Sequence, residues 1–269
     1  MKAHCLFLTV LLFIMCMVPS VQAQEKMAWY CPPCSSDCDR TAYAAPGKCP
    51  LCGMTLVQEE VAAHQQKLDV KRMKVLFYLQ DGVEVLDFAG PLEVFSYAGF
   101  DVAIVSKTKD PIKSQGILKI IPDYSIADAP TADILAFFGG NAGNAANDPS
   151  VIRWLKNAPA PAFYFSVCTG AFILGKAGFL DHLTVTTFHE SIESLRQAVP
   201  QAKVLENVRF VDNGKVMTTA GISAGIDGAL HLVEKIRGRD AAIQIAKYME
   251  YDKWVPAQGL ILTDQPTNP

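Results

Sequence analysis

From residue 73 onward, short apolar runs alternate with stretches of helical period, and this alternation carries the first inference about the chain. Residues 74–79 (KVLFYL), 100–106 (FDVAIVS), 133–138 (DILAFF) and 163–167 (FYFSV) read as buried strands. They are short, rich in β-branched and aromatic residues, and bounded by turn residues. Residues 87–98, with a start near Gly90-Pro91, and residues 148–157, 169–177, 189–198, 223–236 and 240–249 carry helical spacing. Residues 117–126 read as an extended excursion and 184–187 as a strand. Residues 204–211 and 215–219 flank Asp212-Asn213-Gly214, a hairpin signal. Strands alternating with helices imply an α/β domain built on a mostly parallel sheet. Residues 251–269 read as an irregular tail, with Trp254 available to dock on the core.

The pattern upstream is different. Residues 1–23 hold Lys2, a 14-residue apolar run from Cys5 to Val18, a Pro19-Ser20 break and then Val21-Gln22-Ala23. That order is the one expected of a secretory signal cleaved after Ala23. The run is shorter than the roughly 20 residues that span a bilayer, so no permanent membrane anchor is expected. Lipid modification at Cys16 is disfavoured by bulky Met15. Residues 24–57 lack a long apolar period and are broken by Pro and Gly, so a module this small needs cross-links or a metal. Residues 58–72 (QEEVAAHQQKLDVKR) suit a partly helical spacer.

Composition narrows the function. The chain of 269 residues is 50% hydrophobic with a net charge of −3, which gives no basic surface for nucleic acid. Of its eight cysteines, Cys5 and Cys16 fall in the signal, and Cys31, Cys34, Cys38, Cys49 and Cys52 crowd into one short segment. Cys31, Cys34, Cys49 and Cys52 form CxxC…CxxC, a spacing that suits a tetrahedral thiolate site for zinc or copper(I). Cys38 is then a fifth sulfur without an assigned place. In an oxidising compartment disulfides compete with the metal.

The remaining cysteine, Cys168, lies in Phe165-Ser166-Val167-Cys168-Thr169-Gly170, between a strand and a helix. A thiol there sits at the positive end of the helix dipole, which favours thiolate, and small neighbours permit the tight turn of a nucleophile elbow. The alternative is a buried structural cysteine. Gly139 and Gly140, after another strand, offer backbone amides to a developing oxyanion or a substrate, together with that of Thr169. Asp87 follows the first strand and suits a proton shuttle beside the thiol, with Glu84 and Glu93 as alternatives and helix capping as its plain reading.

Three segments taken together resemble a known superfamily: residues 82–95 (GVEVLDFAGPLEVF), 166–180 (SVCTGAFILGKAGFL) and 218–233 (TTAGISAGIDGALHLV). They are similar to the ThiJ/PfpI superfamily, a branch of the class I glutamine amidotransferase-like fold, over residues 73–250. The resemblance implies a flavodoxin-like, doubly wound sheet with helices on both faces, and homodimers among relatives. Cys-Thr-Gly with the Asp-x-x-Gly-Pro turn is similar to isonitrile hydratase. This implies Cys168, Asp87 and Thr169 as functional residues acting on a small carbon-nitrogen electrophile, with no cofactor in this domain. Protease-like members carry His directly after Cys, where this chain has Thr169. The Thr-Thr-His segment of other members is displaced here, so His189 is expected on the surface. Residues after Met249 are too few for the helix-turn-helix region of regulator relatives. The cysteine-rich segment, ending Cys49-Pro50-Leu51-Cys52-Gly53-Met54, resembles the heavy-metal-binding domain of metal export proteins, with Pro33-Cys34 where that family has Met-His. Two readings therefore compete: an enzyme acting through Cys168, and a metal- or redox-responsive binding protein in which Cys168 is a sensor thiol.

Overall fold

The computed structural model describes residues 26–32, 37–64, 72–252, 254–256 and 258–262; residues 1–23, read above as a secretory signal, and Cys34 lie outside them. Met27–Tyr30 (β1) and Val57–Glu60 (β2) pair antiparallel, so residues 58–60, read above as spacer, belong to the sheet of the small module. Its core is Cys31, Cys38, Cys49 and Leu56, with Trp29, Tyr43 and Met54 packed against it. So few apolar residues cannot hold a fold unaided, which returns the burden to the cysteines.

The large domain is a sheet sandwiched by helices. Its strands are Lys74–Tyr78 (β3), Asp101–Ser106 (β4), Tyr124–Ser125 (β7), Ile134–Phe137 (β8), Phe163–Val167 (β9), Phe210–Asp212 (β12), Val216–Thr219 (β13) and Leu260–Ile261 (β14). Two small pairs stand apart from it, Ile112–Lys113 (β5) with Lys119–Ile120 (β6), and Thr184–Val185 (β10) with Lys203–Val204 (β11). The order across the main sheet is β14-β12-β13-β9-β8-β3-β4-β7. All pairs are parallel except β12 with β13. The doubly wound, mostly parallel architecture is therefore as the resemblance implied. The tail is less irregular than its sequence suggests, because β14 adds an edge strand beside β12 and Trp254 packs on the core.

Helices cover both faces. Val85–Tyr97 (α1), Ala224–Arg237 (α6) and Arg239–Tyr248 (α7) lie on one; Ala142–Ala146 (α2), Pro149–Asn157 (α3), Ala171–Lys176 (α4) and Ile192–Ala198 (α5) lie on the other. The central strands read as unbroken apolar runs because both faces are buried: Val75, Phe77, Ile134, Ala136 and Phe165 serve one layer, and Leu76, Tyr78, Leu135, Phe137 and Tyr164 the other. The chain runs outward from β3 to β4 and β7, then returns to β8 on the far side of β3. That reversal opens a crevice at the carboxyl ends of β3 and β8, where ligands of such sheets collect.

Candidate active site and cysteine cluster

Three loops meet in the crevice. The loop after β3 and the loop after β8 are stitched together: Val83 bridges Gly140, the Asn141 amide donates to the Gly82 carbonyl at 2.9 Å, and the buried Gln80 side chain donates to the Phe138 and Gly139 carbonyls at 3.0 and 2.9 Å. This fixes the start of α1 at Val85, two residues before the 87–98 span expected from the sequence and ahead of Gly90-Pro91. The N-cap is Glu84, and Asp87 falls in the first turn with its side chain fully buried. Asp87 is therefore no helix cap. One carboxylate oxygen accepts the Gly139 amide at 2.9 Å and the other accepts the Ile222 amide at 2.8 Å.

Cys168 directly follows β9 with φ 59, in the left-handed region that costs a non-glycine residue about 1–2 kcal/mol. Its neighbours enforce that conformation. The Cys168 amide donates to Ala220 at 3.0 Å, the buried Thr187 hydroxyl donates to the Cys168 carbonyl at 2.7 Å, and Gly170 presses against the backbone of Phe137, leaving no room for a Cβ. Strain held in place by surrounding bonds marks functional turns. Ile222, at φ 57, is a second such residue, and for a β-branched side chain the more unusual one.

The thiol of Cys168 hydrogen-bonds Asp87, and the Thr169 and Gly140 amides point at its sulfur. Of the three acidic candidates, Asp87 is the one that reaches Cys168. The expectation of a thiolate-favouring turn is overturned: burial first, and then the Asp87 charge, push the Cys168 thiol up to about 12, against the pull of the two amides. Burial likewise raises Asp87 to about 6, opposed by the Ile222 amide, the Cys168 thiol and the Gly139 amide. At neutral pH the pair is a carboxylate and a thiol sharing one proton, as two close acids in a dry site must.

The two glycines divide their work. Gly140, at φ 80, sends its amide to the sulfur, where the sequence reading assigned it to an oxyanion or substrate. Gly139 corrects the sequence reading, because its amide is committed to Asp87 and so is not available to an oxyanion. What Gly139 supplies is space: a Cβ there would lie 2.6 Å from the Asp87 carboxylate and 2.7 Å from the Cys168 sulfur. Gly139→Ala is expected to cost about 1–3 kcal/mol through overpacking, read as a lowered Tm, and to separate the pair. Thr169 is partly buried, and its hydroxyl donates to the Gly140 carbonyl at 3.3 Å. His189 is 76% exposed and outside the crevice. The sequence did not single out Thr187, Phe188, Gly221 or Ile222. Phe188 and Gly221 wall the sulfur, a Cβ on Gly221 falling 3.2 Å from it.

With this geometry in place, comparison with known proteins is decisive. Residues 73–235 match the DJ-1/PfpI family, and residues 28–59 match the heavy metal binding domain. The chain belongs to the DJ-1/PfpI family. The domain is similar to isonitrile hydratase of Pseudomonas putida, 32% identical over 185 residues that cover 66% of this chain and 78% of that protein. It is also similar to the HTH-type transcriptional regulator CdhR of Pseudomonas aeruginosa, 23% identical, where 68% of this chain spans 56% of the regulator. Among solved structures, a THiJ/PfpI family protein from Pseudomonas syringae superposes with a TM-score of 0.63 at 28% identity, covering 73% of this chain and 78% of that one.

In the heavy metal binding domain, the sulfurs of Cys31, Cys38, Cys49 and Cys52 all lie within 4.8 Å of one another, Cys31 and Cys52 at 3.1 Å. The Cys49-Pro50-Leu51-Cys52-Gly53 knuckle closes through the Gly53 amide on the Cys49 carbonyl at 2.8 Å, with Gly53 at φ 76. Four converging thiols in a segment with almost no core fit a soft or borderline cation. Cys38, which the spacing left over, is in the cluster.

Proposed function

We propose that the DJ-1/PfpI domain is a cysteine-dependent hydratase of isonitriles or similarly small carbon-nitrogen electrophiles, carried by the Cys168–Asp87 pair. The observation behind this reading is the geometry of the pair: a buried thiol hydrogen-bonded to a carboxylate whose two oxygens are held by backbone amides. The sulfur attacks the terminal isonitrile carbon while the thiol proton passes through Asp87 to that carbon, giving a thioimidate. Water then adds to the same carbon, Asp87 carrying one of its protons to nitrogen; the resulting hydroxyl proton passes through Asp87 to sulfur as the C–S bond breaks, releasing an N-substituted formamide and the free thiol. Net, one water is consumed and thiol and carboxylate are restored. The Thr169 and Gly140 amides steady the sulfur as it gains charge, and the Thr169 hydroxyl is placed to orient substrate or water.

The sensor reading needs an exposed thiol of low pKa. Cys168 is 5% exposed, which disfavours a sensor open to solvent, and the hydrogen-bonded Asp87 gives the enzyme a group to take the thiol proton as the sulfur attacks. The test is direct: purified protein is mixed with an alkyl isonitrile and the formamide is followed by mass spectrometry. Turnover supports the reading, and no formamide across pH 6–9 removes it. We further read the protein as exported after cleavage near Ala23, which N-terminal sequencing of the secreted form checks. Among the described residues no helix is long and apolar enough to cross a membrane.

A further inference from the structure

We propose that the metal site of the N-terminal domain is a closed tetrathiolate of Cys31, Cys38, Cys49 and Cys52, taking zinc, with Cys38 as its fourth ligand. This concerns residues apart from the Cys168–Asp87 pair and stands whether or not that pair is catalytic.

Geometry carries the assignment. A tetrahedral zinc site with Zn–S of about 2.3 Å has sulfurs about 3.8 Å apart along every edge. The four sulfurs here bracket that value, with Cys31 and Cys52 at 3.1 Å and every pair within 4.8 Å. Small inward or outward adjustments therefore suffice to seat one ion. Four thiolates fill the tetrahedron and leave no position for a fifth.

The backbone explains why Cys38 is there. The antiparallel bridge between Trp29 and Tyr43, bonded both ways at 3.0 and 2.8 Å, brings the two ends of the intervening segment together. Within that segment a 3₁₀ turn, Asp37–Arg40, is followed by the Thr41 amide donating to the Cys38 carbonyl at 3.1 Å, and Cys38 is fully buried. Tyr43, on the same bridge, places its hydroxyl 3.6 Å from the Cys49 sulfur, where it supports a ligated thiolate as an outer-shell donor. A neutral disulfide has no use for such a donor.

The ligand set also selects the ion. Four thiolates in a tetrahedron suit zinc, and closure without a water position marks a structural site rather than one that passes metal on. Folding of the domain is then coupled to metal.

The experiment uses the full chain, prepared reduced and loaded with zinc, in three forms: wild type, Cys38→Ala and Cys34→Ala. Rapid alkylation of the wild type with peptide mapping by mass spectrometry is expected to leave Cys31, Cys38, Cys49 and Cys52 protected and Cys34 labelled. Replacing zinc by cobalt(II) is expected to give the visible bands of a tetrahedral ion and sulfur-to-metal charge transfer. Cys38→Ala should lose about a quarter of that charge-transfer intensity, one ligand of four, and bind zinc at least tenfold more weakly against a chromophoric chelator. Cys34→Ala should match wild type in all three measurements. The reverse pattern, with Cys34 protected and Cys38 labelled, overturns the assignment, and so does a reduced protein that binds no zinc or holds copper(I) alone. The alkylation map of the wild type decides even where a variant fails to fold.

Discussion

A Cys168→Ala protein is expected to lose formamide production by about 10⁴-fold or more, because no other group in the crevice can form the covalent intermediate. Zinc content should be unchanged, since Cys168 takes no part in the cysteine cluster. The same position tests the strain of the elbow. At φ 59 alanine keeps the clash between Cβ and carbonyl that cysteine bears, and glycine does not. Cys168→Gly should therefore melt above Cys168→Ala, by up to about 1 kcal/mol after glycine's larger unfolded-state entropy is subtracted. Equal stability would mean that the turn is unstrained and that the Thr187 and Ala220 bonds merely accompany it. Should Cys168→Ala instead protect cells and bind metal as wild type does, with formamide production also unaltered, the enzyme reading fails and the thiol belongs to the structure alone.

The sheet was legible because its strands are buried on both faces. Runs such as 75–79 and 134–138 are apolar at every position, and few other structures present such runs between helical stretches. The site was half legible. Cys168 and Asp87 announce themselves by residue type and by their place after strands. The groups that position them act through backbone: the Ile222 and Gly139 amides hold Asp87, and any side chain at 222 would supply the same donor. Backbone donors leave no mark in a sequence.

Where the reading went astray, a long-range contact outweighed a local rule. Gly90-Pro91 looks like a helix start, but the bridge between Val83 and Gly140 lets α1 begin earlier and places Pro91 inside it. The run 204–211 looked like one strand, yet only its ends pair: Lys203–Val204 joins Thr184–Val185, and Phe210–Asp212 joins the main sheet. The CxxC spacing left Cys38 without a place, and a bridge and a 3₁₀ turn carry it into the cluster. A helix dipole argued for a thiolate at Cys168, and burial with a neighbouring carboxylate reversed the sign. Short-range patterns record neighbours in sequence, and each of these outcomes is set by neighbours in space.

Asp87→Asn is expected to move two rates at Cys168 in opposite directions. Hydration should slow by about 10²- to 10⁴-fold, the range for losing a positioned acid-base group. Alkylation of Cys168 at pH 8 should become faster, because removing the Asp87 charge lets the thiol fall from about 12 towards its ordinary range, though burial still holds it high. A substitution that only damaged the fold would not make that combination with an unchanged circular dichroism spectrum. Stability gives a third reading with a definite sign. Burial raises Asp87 from 3.8 to about 6 in the folded protein, so between those values the folded state holds a proton that the unfolded chain has lost. Stability attributable to this carboxyl is therefore highest below pH 4, falls as pH rises through 4 to 6, and above 6 is lower by roughly 3 kcal/mol. Asn cannot accept both the Gly139 and Ile222 amides, which imposes a penalty that does not vary with pH. The measurement is thus the difference between the two stability–pH profiles. Relative to wild type, the Asn protein should gain stability across pH 4–6 and run parallel above it. A constant difference over the whole range would place the Asp87 carboxyl at its ordinary value and break the link between its burial and the proton it shares with Cys168.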